Sequence, residues 1–123
     1  LEDNARTIVG PVISERCKPE LRNHTIETAG ILNKAGVPMC ICTDHPVVPE
    51  QYLPLSAGLA VRGGLDRNEA LKAITIYPAQ ITGIADRVGS IEVGKDADIV
   101  IFSGDPLSVC DTPDMVIVNG TVI

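Results

Sequence analysis

The residues best placed to do chemistry stand together at positions 43–46, T-D-H-P, where an apolar, β-branched run ends in a carboxylate, an imidazole and a proline. Alternation along the preceding stretch puts Met39, Ile41 and Thr43 on one face and Cys40, Cys42 and Asp44 on the other. Both faces stay apolar until the last residue, which predicts a parallel strand over 39–44 covered on both sides. At the C-terminal end of such a strand the next loop opens onto the ligand-binding face, and β/α barrels place their catalytic groups there. A carboxylate in that position can take a proton from water and hand it to a leaving group. Asp44 is therefore the first candidate, against the plainer reading of an aspartate that caps a helix or a turn.

Three other groups have the residue types for chemistry but not the setting. His24 ends a polar connection over 14–24, where a lone histidine is ordinarily just solvated. Cys40, Cys42 and His45 could in principle form a structural metal site, yet the chain has no C-x-x-C pair, and buried free thiols explain Cys40 and Cys42 as well. Gly89 to Lys95, G-S-I-E-V-G-K, follows a phosphate-loop spacing until Asp96 stands where Ser or Thr would be needed. Glu92 and Asp96 would repel phosphate and no helix follows, so this stretch reads as a glycine-bounded turn between strands.

The elements that must position Asp44 can be read on either side of it. Thr7–Ile13 is a short β-rich run broken by Gly10-Pro11. From Thr25, Ile26, Ala29, Leu32 and Ala35 recur at helical spacing until Gly36. Strand, helix and strand over 7–44 thus form one βαβ unit with a parallel pair. Beyond Asp44 a proline-punctuated loop leads to a small-residue helix, Leu53–Arg62, closed by Gly63-Gly64. A helix over 66–76 begins at Asp66 with Glu69 three residues on, a capping-box pattern, and Pro78 opens a further short helix ending near Gly83. The tail turns to sheet: Ile99–Phe102 is an apolar strand, and 115–123 is a hairpin with Asn119-Gly120 at its turn.

Composition limits the partners. Net charge is −6 with no basic cluster, which argues against nucleic acid and anionic membrane. No apolar run approaches the roughly 20 residues that span a bilayer. The core must be built from Val, Ile, Leu and Ala, since the only aromatics are Tyr52, Tyr77 and Phe102. The start, L-E-D-N-A-R, has neither an initiator Met nor a signal-peptide pattern, so Leu1 is expected to be a cut and the protein cytoplasmic.

Read in order, T-D-H-P at 43–46, E-A-L-K-A-I-T at 69–75, P-A-Q-I-T-G-I at 78–84, G-S-I-E-V-G-K-D-A-D-I-V-I at 89–101, D-P at 105–106 and V-N-G at 118–120 form a series. With it the chain resembles the C-terminal portion of a metal-dependent amidohydrolase of the imidazolonepropionase-like and prolidase-like branch, over residues 28 to 123. The resemblance implies an α/β fold: residues 1–86 as the last two strands and helices of a metal-binding β/α (TIM) barrel, and 87–123 as strands of a small β-sandwich. It implies that Asp44 is a metal ligand that also handles the proton of the attacking water, and it leaves open whether His45 touches substrate. It further implies a divalent metal, zinc, in the intact parent, with a small-molecule substrate.

The departures from the family pattern are as informative. Its H-x-H, its mid-barrel lysine or glutamate and its two later histidines do not occur in this chain. Zinc sites take at least three protein ligands, so the chain by itself is expected to bind no metal and to be inactive. Open sheet edges and a Cys40/Cys42 face turned to an absent barrel interior predict a homo-oligomer, or association with the half of the barrel not present. The rival reading is a non-catalytic α+β interaction module derived from such an enzyme; an upstream H-x-H in the same reading frame would separate the two.

Overall fold

The structure is a computed structural model that describes residues 5–123. β1 (Thr7–Val9) and β2 (Met39–Ile41) pair in parallel, with Thr7 opposite Met39 and Val9 opposite Ile41. Two further bonds extend the ladder, from Thr7 N–H to the Pro38 carbonyl and from Cys42 N–H to the Val9 carbonyl, both 2.9 Å. Among the described residues there are four α-helices: α1 (Thr28–Lys34) between the strands, then α2 (Leu53–Arg62), α3 (Arg67–Ala73) and α4 (Ile76–Thr82). A separate antiparallel sheet, β3 (Ile99–Ile101), β4 (Met115–Val118) and β5 (Thr121–Val122), closes the chain. None of the described helices is long and apolar enough to cross a membrane.

Local chemistry accounts for the helix limits. Gly36 and Gly83 adopt positive φ just past α1 and α4, the conformation that a side chain resists. Asp66 caps α3 by accepting from the backbone N–H groups of Asn68 and Glu69. Glu69 does not return the bond as a capping box would. Its carboxylate instead accepts from Lys72 Nζ, the Tyr77 hydroxyl (2.6 Å) and Asn33 Nδ2, tying α1, α3 and α4 together. The helix predicted over 66–76 ends earlier, at Ala73, and the next begins at Ile76 and not at Pro78, because Ile74 and Thr75 leave helical geometry. Pro78 is the third residue of α4, where its absent N–H is still unneeded. Asn119 and Gly120 both take positive φ, as the β4–β5 turn requires.

The bond from Lys72, then that from Tyr77, hold the Glu69 carboxyl below its ordinary pKa, while Glu69 pushes the Tyr77 phenol up. A depressed carboxylate stabilises the fold fully above its unfolded pKa and ceases to as pH falls through the folded one. Tyr77→Phe should therefore cost about 1–2 kcal/mol at pH 7, as for a hydrogen bond to a charged group near the surface, and less as pH falls through the folded pKa of Glu69. Urea unfolding of both proteins over an acidic pH series measures the difference.

The core lies between the strand pair and the helices. Met39 and Ile41 meet Ala29, Ala57, Ala60, Leu65, Ala70 and Ala73, so small residues bring the helix backbones close. Leu107, from the loop between β3 and β4, belongs to the same core. Two sequence expectations need correction. Regular strand pairing is shorter than predicted, stopping at Val9 and Ile41, because the chain turns out at Gly10-Pro11 and at Asp44. The Cys40/Cys42 face is not open: Cys40 is only 4% exposed and Cys42 is half-buried.

Candidate functional site

Asp44 sits three residues beyond the end of β2, on an exposed turn, next to the buried Thr43. Its φ of 55° lies in the left-handed region, which few residues other than glycine occupy and which aspartate tolerates because its side chain is short and polar. Val47 N–H donates to the Asp44 carbonyl (2.8 Å), closing a tight turn that carries His45 at its tip. A strained non-glycine residue at the exit of a parallel strand is the kind of outlier that concentrates at functional sites. His45 is exposed beside it.

The ends of the two strands are locked together. A side-chain carbon placed on Gly10 would lie 2.2 Å from the Cys42 carbonyl oxygen and 2.7 Å from its sulfur. The loop after β1 therefore passes against the backbone two residues before Asp44, and only glycine lets it do so. His24 braces that loop, its Nε2 lying 2.9 Å from the Pro11 carbonyl oxygen. This bond gives His24 a structural role, and sequence alone had no signal for it, since its partner lies 13 residues away.

Among the described residues no three of His, Cys, Asp and Glu come together in a way that could hold a metal ion. Cys40, Cys42 and His45 accordingly do not form a site. Burial, and then the neighbouring Cys42, raise the pKa of the Cys40 thiol, which keeps it protonated and a poor metal donor. A divalent ion would find one suitable donor at the end of β2, the Asp44 carboxylate, where a complete site needs at least three. These residues fit one corner of a metal centre and not a whole one.

Two of the hollows around this region lie at different ends. One, of about 890 Å³, opens at the N-terminal ends of the strands among Arg6, Pro38, Met39, Glu69 and Tyr77. It is remote from Asp44 along the strand direction. The other, of about 370 Å³, lies on the Asp44 side between the loops that follow β1 and β2.

Comparison with known proteins bears on this arrangement. The amidohydrolase family profile matches residues 4–123. An imidazolonepropionase from Geobacillus kaustophilus is 46% identical over 72 residues, 56% of this chain and 17% of its own. The crystal structure of an amidohydrolase from Thermotoga maritima superposes with a TM-score of 0.94 at 39% identity, covering 99% of this chain and 32% of that one. A Xaa-Pro dipeptidase with methionine bound in its active site superposes at 0.71, with 26% identity, over 82% of this chain and 26% of that one. The chain thus spans about a third or less of these relatives, and 11% of another curated relative.

Proposed function

The chain belongs to the amidohydrolase family, and from that premise we propose that it is the C-terminal part of a metal-dependent enzyme that hydrolyses a carbon–nitrogen bond in a small molecule, with Asp44 as metal ligand and proton carrier. The observation that carries this is the position of Asp44, exposed in a left-handed turn at the exit of a parallel strand. When bound, a divalent ion, zinc in this reading, makes water nucleophilic near neutral pH. Asp44 would take the proton of the attacking water and deliver it to the departing nitrogen, which would otherwise leave as an unstable anion. The turn closed by Val47 holds the backbone of Asp44 just past the strand pair, and in this proposal His45, exposed beside it, touches substrate. The other ligands and most of the substrate pocket belong, in this reading, to the rest of a longer protein.

Association is part of the same reading. Val100, Ile101, Met115, Val118, Val122 and Ile123 are exposed on the antiparallel sheet, and Ile8 is exposed on β1. Such surfaces favour burial against the remainder of the longer chain or a second copy. The four free cysteines suit a cytoplasmic setting.

The test compares residues 1–123 expressed alone with the full-length protein. The short chain should retain no stoichiometric divalent metal after dialysis and show no amide hydrolysis, because it offers one ligand; the full-length protein should show both. Metal analysis measures the first, and one-to-one zinc that survives a chelator wash in the short chain would overturn the reading.

A further inference from the structure

The hollow on the Asp44 side has walls of one chemical kind. Ile13 comes from the loop after β1, Val47, Val48 and Pro49 from the loop after β2, and Tyr52 and Leu55 from the start of α2 and the turn before it. None of these six carries a charge. Ile13, Val47 and Tyr52 are exposed, Val47 at 63%, while Val48 beneath them is buried. The recess borders the loop that carries Asp44: Val47, one of its walls, donates its N–H to the Asp44 carbonyl, and Ile13 lies three residues past Gly10, which packs against Cys42. Its volume of about 370 Å³ falls at the lower end of small-ligand pockets.

Resting on the assignment of Asp44 to the reaction centre, we infer that this recess is a substrate subsite that holds an uncharged, apolar substituent next to the carbon–nitrogen bond being cleaved. A charged substituent would meet no counter-ion from these six residues and would lose its hydration. An alkyl or aryl group would instead cover Val47, Tyr52 and Ile13, removing their apolar surface from water. Val48 and Leu55, the least exposed of the six, add further apolar surface for the group to pack on.

The full-length protein is titrated with acetamide, butanamide and hexanamide, whose binding is followed by NMR and needs no turnover. Affinity should rise about fourfold for each added methylene that the recess covers. Val47→Asp, on the loop after β2, and Ile13→Ser, on the loop after β1, should each flatten that rise; both positions are exposed, so the fold should survive. Equal affinity across the three amides, or a rise unchanged in both variants, would overturn the subsite. Turnover of Asp44→Asn is measured in parallel and reports on the reaction centre alone. A flat series with an inactive Asp44→Asn overturns the recess and leaves that assignment standing, whereas a steep series with an active Asp44→Asn does the reverse.

Discussion

Asp44→Asn in the full-length protein is expected to lower turnover by about 10²–10⁴-fold, the usual loss when a general base is removed, while stability changes by less than about 0.5 kcal/mol. The separation of the two effects follows from the geometry. Asp44 is exposed and lies in left-handed backbone, a conformation that asparagine enters as readily as aspartate. The side-chain amide keeps the shape, and the backbone carbonyl of residue 44 still closes the turn with Val47. It cannot accept a proton from water, and it is a weaker metal donor. Steady-state kinetics and a thermal melt of the same sample measure both quantities; near-normal turnover would remove Asp44 from the mechanism.

Gly10→Ala is expected to have the larger effect on stability, about 3 kcal/mol, at the upper end of the range for overpacking a tight contact. The methyl carbon would arrive 2.2 Å from the Cys42 carbonyl oxygen, far inside van der Waals contact. That oxygen belongs to the backbone one residue past β2, so it cannot rotate away as a side chain would. Either the loop after β1 lifts off or β2 shifts, and both loosen the ladder bond from Cys42 N–H to Val9. Cys42→Ala in the same protein removes the sulfur at 2.7 Å but not the carbonyl, so it should not restore stability. Denaturant unfolding of the single and double variants measures this. Recovery in the double variant would show that the sulfur, not the backbone, was the obstacle.

The sequence made some features legible because they are written in short-range chemistry. Leu53–Arg62 is found with its expected limits, since small residues inside and Gly63-Gly64 after it are local signals. The β4–β5 hairpin was legible for the same reason, Asn119-Gly120 being a two-residue turn with its own preference. The parallel pairing of β1 with β2 followed from strand, helix and strand in succession. Long-range contacts were not legible. Nothing near Glu69 in sequence says that Tyr77 and Asn33 will take the carboxylate from its capping role. Nothing near Gly10 announces that Cys42 will press on it. At the candidate site the carboxylate at the strand exit was visible, but its left-handed backbone and the apolar recess beside it were not. The left-handed turn is a local choice among several open to an aspartate before His-Pro, and the recess depends on how two loops, more than 30 residues apart in the chain, are brought together.

The placement of Leu107 constrains how such a chain can recombine. Its carbonyl oxygen sits where a side-chain carbon on Gly58 would need to be, at 2.4 Å, and Arg67 on α3 pairs with Asp105 two residues earlier in the same loop. The helical part and the sheet-bearing tail therefore share a fitted seam. A gene exchange that brought in a tail from a relative would inherit a loop shaped for that relative's helix. Gly58 and the segment around Leu107 have to travel together, or change together, through any such shuffling.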